Sequence, residues 1–97
     1  MCFHAAVHIT VYQGPAFTSP AQVNSAPYRR ERYARVRFPD RGLVDGKIMR
    51  WSASHVLLHW QDDPAGAHRE AWVPAAWCER IRREDAAWRD PYDLPGE

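Results

Sequence analysis

From Tyr33 the chain alternates apolar and polar side chains at the two-residue period of a half-buried strand, with Ala34, Val36 and Phe38 on one face and Tyr33, Arg35 and Arg37 on the other. Pro39-Asp40-Arg41-Gly42 cannot continue a ladder and predicts a turn. Leu43 to Trp51 predicts a second strand, with Asp45-Gly46 as a bulge or bend inside it. Beyond Ser52-Ala53-Ser54, a third strand over His55 to Trp60 places Val56, Leu58 and Trp60 on one face and His55, Leu57 and His59 on the other. Gln61 to Gly66 carries the strongest turn signal, and His68 to Val73 predicts a fourth strand that Pro74 ends. Ala75-Ala76-Trp77 is long enough for one 3₁₀ turn before a short last strand, Cys78 to Ile81. The pattern predicts a small, strongly curved β-domain with Val36, Phe38, Ile48, Val56, Leu58, Val73 and Ile81 in its core.

The flanks read differently. Val7, Ile9 and Val11 alternate with His8, Thr10 and Tyr12, which predicts an extra N-terminal strand. The following stretch, with Gly14, Pro15, Pro20 and Pro27, has the composition of a loop or linker. Arg82 to Arg89 has helical composition that could add two turns, and the breakers from Asp90 to Glu97 predict a tail that is loose unless a neighbour holds it, one whose acidic residues could fold back on the arginine stripe. The expected organisation is therefore an N-terminal strand and linker over 1–30, a barrel over 31–83 and an acidic tail over 84–97.

A chain of 97 residues has room for one core. Hydrophobic residues at 45% and charged residues at 26% are globular values, and no run approaches the length of a membrane span. MCFHAAVHITVYQG has neither a basic leader nor a long apolar stretch, which predicts a cytoplasmic protein with Cys2 and Cys78 as free thiols. The net charge of +1 exerts no overall pull on anionic partners. The distribution is uneven: Arg29, Arg30, Arg32, Arg35, Arg37 and Arg41 cluster, while Glu84, Asp85, Asp90, Asp93 and Glu97 make the tail acidic.

The run Glu70-Ala71-Trp72-Val73-Pro74-Ala75-Ala76-Trp77-Cys78-Glu79-Arg80-Ile81 resembles the end of a Src-homology-3 domain, where an apolar strand meets a proline, a 3₁₀ turn bearing an aromatic residue and a last short strand. Gly46 to Trp51 and His55 to Asp62 look more like the Tudor, chromo-barrel and KOW branches of the same architecture. Together these stretches cover about half the chain and imply a five-stranded SH3-like barrel. In Src-homology-3 domains the proline and the 3₁₀ aromatic help form a groove for proline-rich peptides, and the matching positions are Pro74 and Trp77. The chain lacks that family's aromatic-acidic opening motif, and its first barrel loop is basic rather than acidic. Tudor-like readers hold methylated cations in an aromatic cage, for which Tyr33, Trp51, Trp60, Trp72 and Trp77 supply rings. Core or rim filling is the competing use of indoles in so small a domain.

Chemistry-bearing constellations are sparse. On a strand, His55 and His59 lie about 13 Å apart, too far to share an ion. His4, His8 and His68 add no ligand spacing, so no metal or cofactor is expected. Asp62-Asp63 beside Pro64 and Gly66 reads as turn formers, and Cys2 as an ordinary second residue rather than an N-terminal nucleophile. The expectation is a non-catalytic module that binds a protein partner through Trp51, Trp72, Pro74 and Trp77. The alternative is a nucleic-acid-binding barrel using Arg29, Arg30, Arg32, Tyr33, Arg35 and Arg37. An exposed N-terminal strand would pair along a barrel edge or with a second copy of the chain.

Overall fold

A computed structural model describes residues 9–27, 31–63, 66–91 and 93. Among these there is no α-helix, and none of the helical turns is long and apolar enough to cross a membrane. The fold is one sheet of seven strands: β1 (Thr10–Val11), β2 (Asn24–Ser25), β3 (Arg32–Phe38), β4 (Gly42–Trp51), β5 (His55–Gln61), β6 (His68–Pro74) and β7 (Cys78–Ile81). The order across it is β1-β6-β5-β4-β3-β7, with β2 pairing β4 off this path. Strands β3 to β6 form an antiparallel meander. A 3₁₀ turn over Ala75–Trp77 then returns the chain so that β7 lies antiparallel beside β3.

The long strand β4 makes the sheet bend. Its first part pairs β3, from Phe38↔Gly42 to Arg32↔Ile48, and its last part pairs β5, from Lys47↔His59 to Trp51↔Val56. Where β3 has run out, β2 takes over that edge at Arg50 and Trp51. The register slips between Ile48 and Arg50, so the bulge lies at Met49 and not at Asp45-Gly46, as the sequence suggested. Asp45 and Gly46 stay in the ladder opposite Arg35 and Ala34. Glycine is needed at 46 for clearance, since a Cβ there would lie 2.6 Å from the His59 carbonyl oxygen and 3.0 Å from Leu58. Gly42, at φ +76°, closes the β3–β4 turn in a conformation that glycine adopts without strain.

Alternation along the strands builds two apolar clusters. The larger holds Ala34, Val36, Phe38, Val56, Leu58, Trp60, Ala71 and Val73, with Ile48 and Trp77 half-buried against it. Of the expected core, Ile48 and Ile81 are only half-buried, and Trp60 joins it. The smaller cluster, Ala16, Leu57 and Trp72, forms where the proline-bearing segment after β1 lies on the sheet. That segment is anchored: Ser52 Oγ donates to the Ala16 carbonyl at 2.7 Å, and buried His55 donates from Nε2 to the Tyr12 carbonyl at 3.0 Å while Ser54 Oγ sits 2.8 Å from its Nδ1. β1 pairs β6 in parallel within its own chain, which is the first of the two pairings expected for it; among the described residues the strand covers Thr10–Val11, and the Tyr12 N–H adds a bond to the Trp72 carbonyl at 2.9 Å. Val7 and His8 lie outside the described residues.

The described part of the tail is neither helical nor loose. After one 3₁₀ turn at Arg83–Asp85 it folds back on the sheet, burying Ala86 and packing Trp88 against Tyr33 and His59 at ring distances of 6.3 and 5.8 Å. Sheet side chains hold its backbone. Asp45 accepts the Ala87 N–H at 2.7 Å and Arg35 donates to the Asp85 carbonyl at 3.1 Å. A two-turn helix in isolation is marginal, so these tertiary bonds decide the conformation.

Candidate binding groove

At the end of β4, between β2 and β5, an indole is left partly uncovered. Trp51 pairs Val56 as the chain turns into β5, and its side chain is 38% exposed. It stands over a groove of about 640 Å³ whose floor is aliphatic, with Ile48 and Val56 below, Ala26 and Pro27 on one side and Ala75 on the other. The bulge at Met49 creates this geometry. Ile48 and Trp51 turn into the groove, whereas Met49 and Arg50 both turn to the opposite face beside Leu57 and Trp72.

Two arginines rim the groove. Arg32 pairs Ile48, and Arg80 pairs Ala34 two residues along β3, so the guanidinium-bearing chains are diagonal neighbours on the groove face. No described carboxylate forms an ion pair with either one. Among the described lining residues Ser52 alone carries a hydroxyl, and it donates to the Ala16 carbonyl.

The structure does not gather the four residues expected to form a docking face. Trp51 lines the groove, but Trp72 is 6% exposed on the other side of the sheet, with Phe17 edge-on at 5.4 Å. The alternation of β6 causes this, because Ala71 and Val73 point into the main core and Trp72 points away from it. Pro74 is half-buried opposite His55, and Trp77 is half-buried against Tyr12 at 5.7 Å. The five rings considered for a cage are dispersed too. Trp60 is core, packed on Phe38 with its Nε1–H donated to Asp62 at 2.8 Å, and Tyr33 lies beneath the tail.

The basic stripe is likewise divided. Arg29 and Arg30 lie outside the described residues. Arg32 faces the groove; Tyr33, Arg35 and Arg37 face the opposite way, where a solvated surface was expected. Tyr33 is instead buried, with its hydroxyl against the Asp93 carboxylate and accepting the Asp90 N–H at 2.9 Å. Burial first, and then the Asp93 contact, push its phenol up to about 12. Arg35 grips Asp45 through two bonds of 2.8 and 3.1 Å, which holds the Asp45 carboxyl below the usual range. Arg37 alone of these three stays exposed.

Sequence reasoning missed the chain's single lysine. Lys47 is 2% exposed, and its ammonium lies 2.7 Å from Asp90, 2.8 Å from Asp93 and 2.9 Å from Glu31. Burial alone would lower its pKa, but the carboxylates more than reverse that and raise it. Arg83 adds a 2.7 Å contact to Asp93, whose carboxyl is held low by Lys47, Tyr33 and Arg83 despite its burial. One lysine among twelve arginines, between Gly46 and Ile48 in a strand, was the available signal. Nearby, His59 Nδ1 lies 3.2 Å from Glu70 and its Nε2 lies 2.8 Å from His68 Nδ1. His59 lowers the Glu70 carboxyl, and among the described residues no group of three ligands is placed to hold a metal.

No family model, curated protein or solved structure matches the chain significantly.

Proposed function

We propose that this chain is a non-catalytic, cytoplasmic interaction module, a five-stranded SH3-like barrel formed by β3 to β7, which binds a protein partner through the Trp51 groove. The carrying observation is an indole left 38% exposed at the end of β4, beside an aliphatic floor rimmed by Arg32 and Arg80. Exposed aromatics over well-packed apolar floors are the usual anchors of protein interfaces. The strand order supports the barrel reading: a meander whose last strand returns beside its first, after a 3₁₀ turn carrying Trp77, is the arrangement the Src-homology-3 resemblance implies. The groove supports a binding rather than a catalytic role, since its described lining offers no acid–base pair and its one hydroxyl is already bonded. Among the original docking residues, Trp51 carries the reading, with Pro74 and Trp77 shaping the turn that bears Ala75.

A nucleic-acid role retains Arg32 and Arg80 but loses most of its platform. Tyr33 and Arg35 are engaged internally, and one indole in an aliphatic groove is a poor stacking surface for successive bases. A photo-crosslinking residue at Ala75, which is exposed on the groove, distinguishes these uses in the source cell. The expected result is a discrete, nuclease-resistant protein adduct lost in Trp51→Ala and absent when the crosslinker is placed at Arg37. Nuclease-sensitive adducts, or equal yields from Arg37, would overturn the protein-partner reading.

A further inference from the structure

The two arginines at the groove differ from five of the other arginines that the structure describes. Arg35, Arg41, Arg69, Arg82 and Arg83 each pair with an aspartate or glutamate. Arg32 and Arg80 have no described carboxylate, although they are diagonal neighbours on adjacent strands, where like charges oppose one another. Arg37, Arg50 and Arg89 also lack a described ion pair, but Arg37 and Arg50 stand on the opposite face of the sheet and Arg89 donates to the Arg83 and Glu84 carbonyls within the tail. Among the described residues, the groove is where two guanidinium groups without a carboxylate partner flank apolar surface together. Guanidinium groups in this setting favour a planar, bidentate acceptor, and the aliphatic floor leaves no other polar partner for it.

Resting on the groove reading above, we propose that the ligand is an extended protein segment in which an aspartate or glutamate is flanked by apolar residues. Its carboxylate is held by Arg32 and Arg80, and its apolar neighbours lie on Trp51, Ile48 and Val56. The pairing reverses the charge sense of a groove that selects basic peptides. A phosphodiester would satisfy the same arginines but would place sugar and phosphate oxygens on the aliphatic floor without donors.

The test is selection of random heptapeptides displayed on phage against the full chain, its Arg32→Gln/Arg80→Gln variant and its Trp51→Ala variant. All three positions are exposed, so the fold is retained, which circular dichroism checks. The expected outcome is enrichment of Asp or Glu beside apolar residues on the wild type, disappearance of the acidic preference on the arginine variant, and no enrichment on Trp51→Ala. A selected peptide should lose about tenfold in affinity on the double arginine change. Its Gln-for-Glu version should be indifferent to that change. Arg80→Glu should shift selection toward Lys and Arg. Apolar peptides enriched without charge preference, and bound equally by the arginine variant, would overturn the carboxylate proposal and leave the groove standing. Absence of any Trp51-dependent enrichment would overturn both.

Discussion

Replacing Lys47 by methionine tests whether the tail is latched to the sheet by charge. Methionine keeps most of the side-chain length while removing the ammonium that Glu31, Asp90 and Asp93 all approach within 2.9 Å. Removing one partner of a buried ion pair typically costs about 3–5 kcal/mol, because the remaining charges are left desolvated and uncompensated. Here Asp90 and Asp93 can escape by swinging into water with the tail, so the lower figure, about 3 kcal/mol, is expected. Against a usual domain stability of about 5–15 kcal/mol this is large, and with a urea dependence near 2 kcal/mol per molar it moves the midpoint by about 1.5 M. Urea unfolding followed by tryptophan fluorescence reads the midpoint, and hydrogen exchange reads where protection is lost. Residues 86–91 should lose it first, as Ala87 N–H and Trp88 come off the sheet. An unchanged midpoint, or a loss spread evenly over β3 to β6, would refute the latch.

Asp93 has a folded pKa below its unfolded value, so its contribution is present above the ordinary carboxylate range and lost as pH falls through the folded pKa; Lys47 and Tyr33 have raised values, so theirs is full below about pH 10 and lost above it. Thermal melts across pH should therefore fall off on both sides, and Asp93→Asn should flatten the acid limb. Gly46→Ala should destabilise by about 1–3 kcal/mol, since its Cβ would meet the backbone oxygen of His59, and a neutral result in a thermal melt would contradict the observed approach of β5. Trp72→Ala should cost about 3–5 kcal/mol as a core deletion, whereas Trp51→Ala should cost under about 1 kcal/mol; equal losses would mean that Trp51 is structural.

The strands from Arg32 to Ile81 were legible because each alternates and each ends on a turn residue: Pro39, Ser52, Asp62 and Pro74 mark the breaks that the structure shows. What alternation alone does not carry is the covering of the second face. Tyr33 and Arg35 have the period of a solvated edge, yet the tail over 83–91 and Asp93 lie over them, and nothing local in a charged, breaker-rich segment reports that distant aspartates will meet one lysine. The bulge was misplaced for a related reason. Asp45-Gly46 has the composition of a bend, but its glycine answers to the crowding of β5, and the slip at Met49 follows from β4 changing partners. That slip also divided the expected docking residues, because it sends Trp51 into the groove while β6 sends Trp72 to the far face. The exposed indole was legible as a candidate; its companions were not.

The most direct measurement is the tryptophan indole N–H spectrum of ¹⁵N-labelled full chain, titrated with the partner or peptide that crosslinking and selection identify. The Trp51 resonance should move with saturation while those of Trp60 and Trp72, sealed in the two cores, stay in place. A Trp51 signal that remains still while residues on the Arg37 face shift would contradict the groove reading.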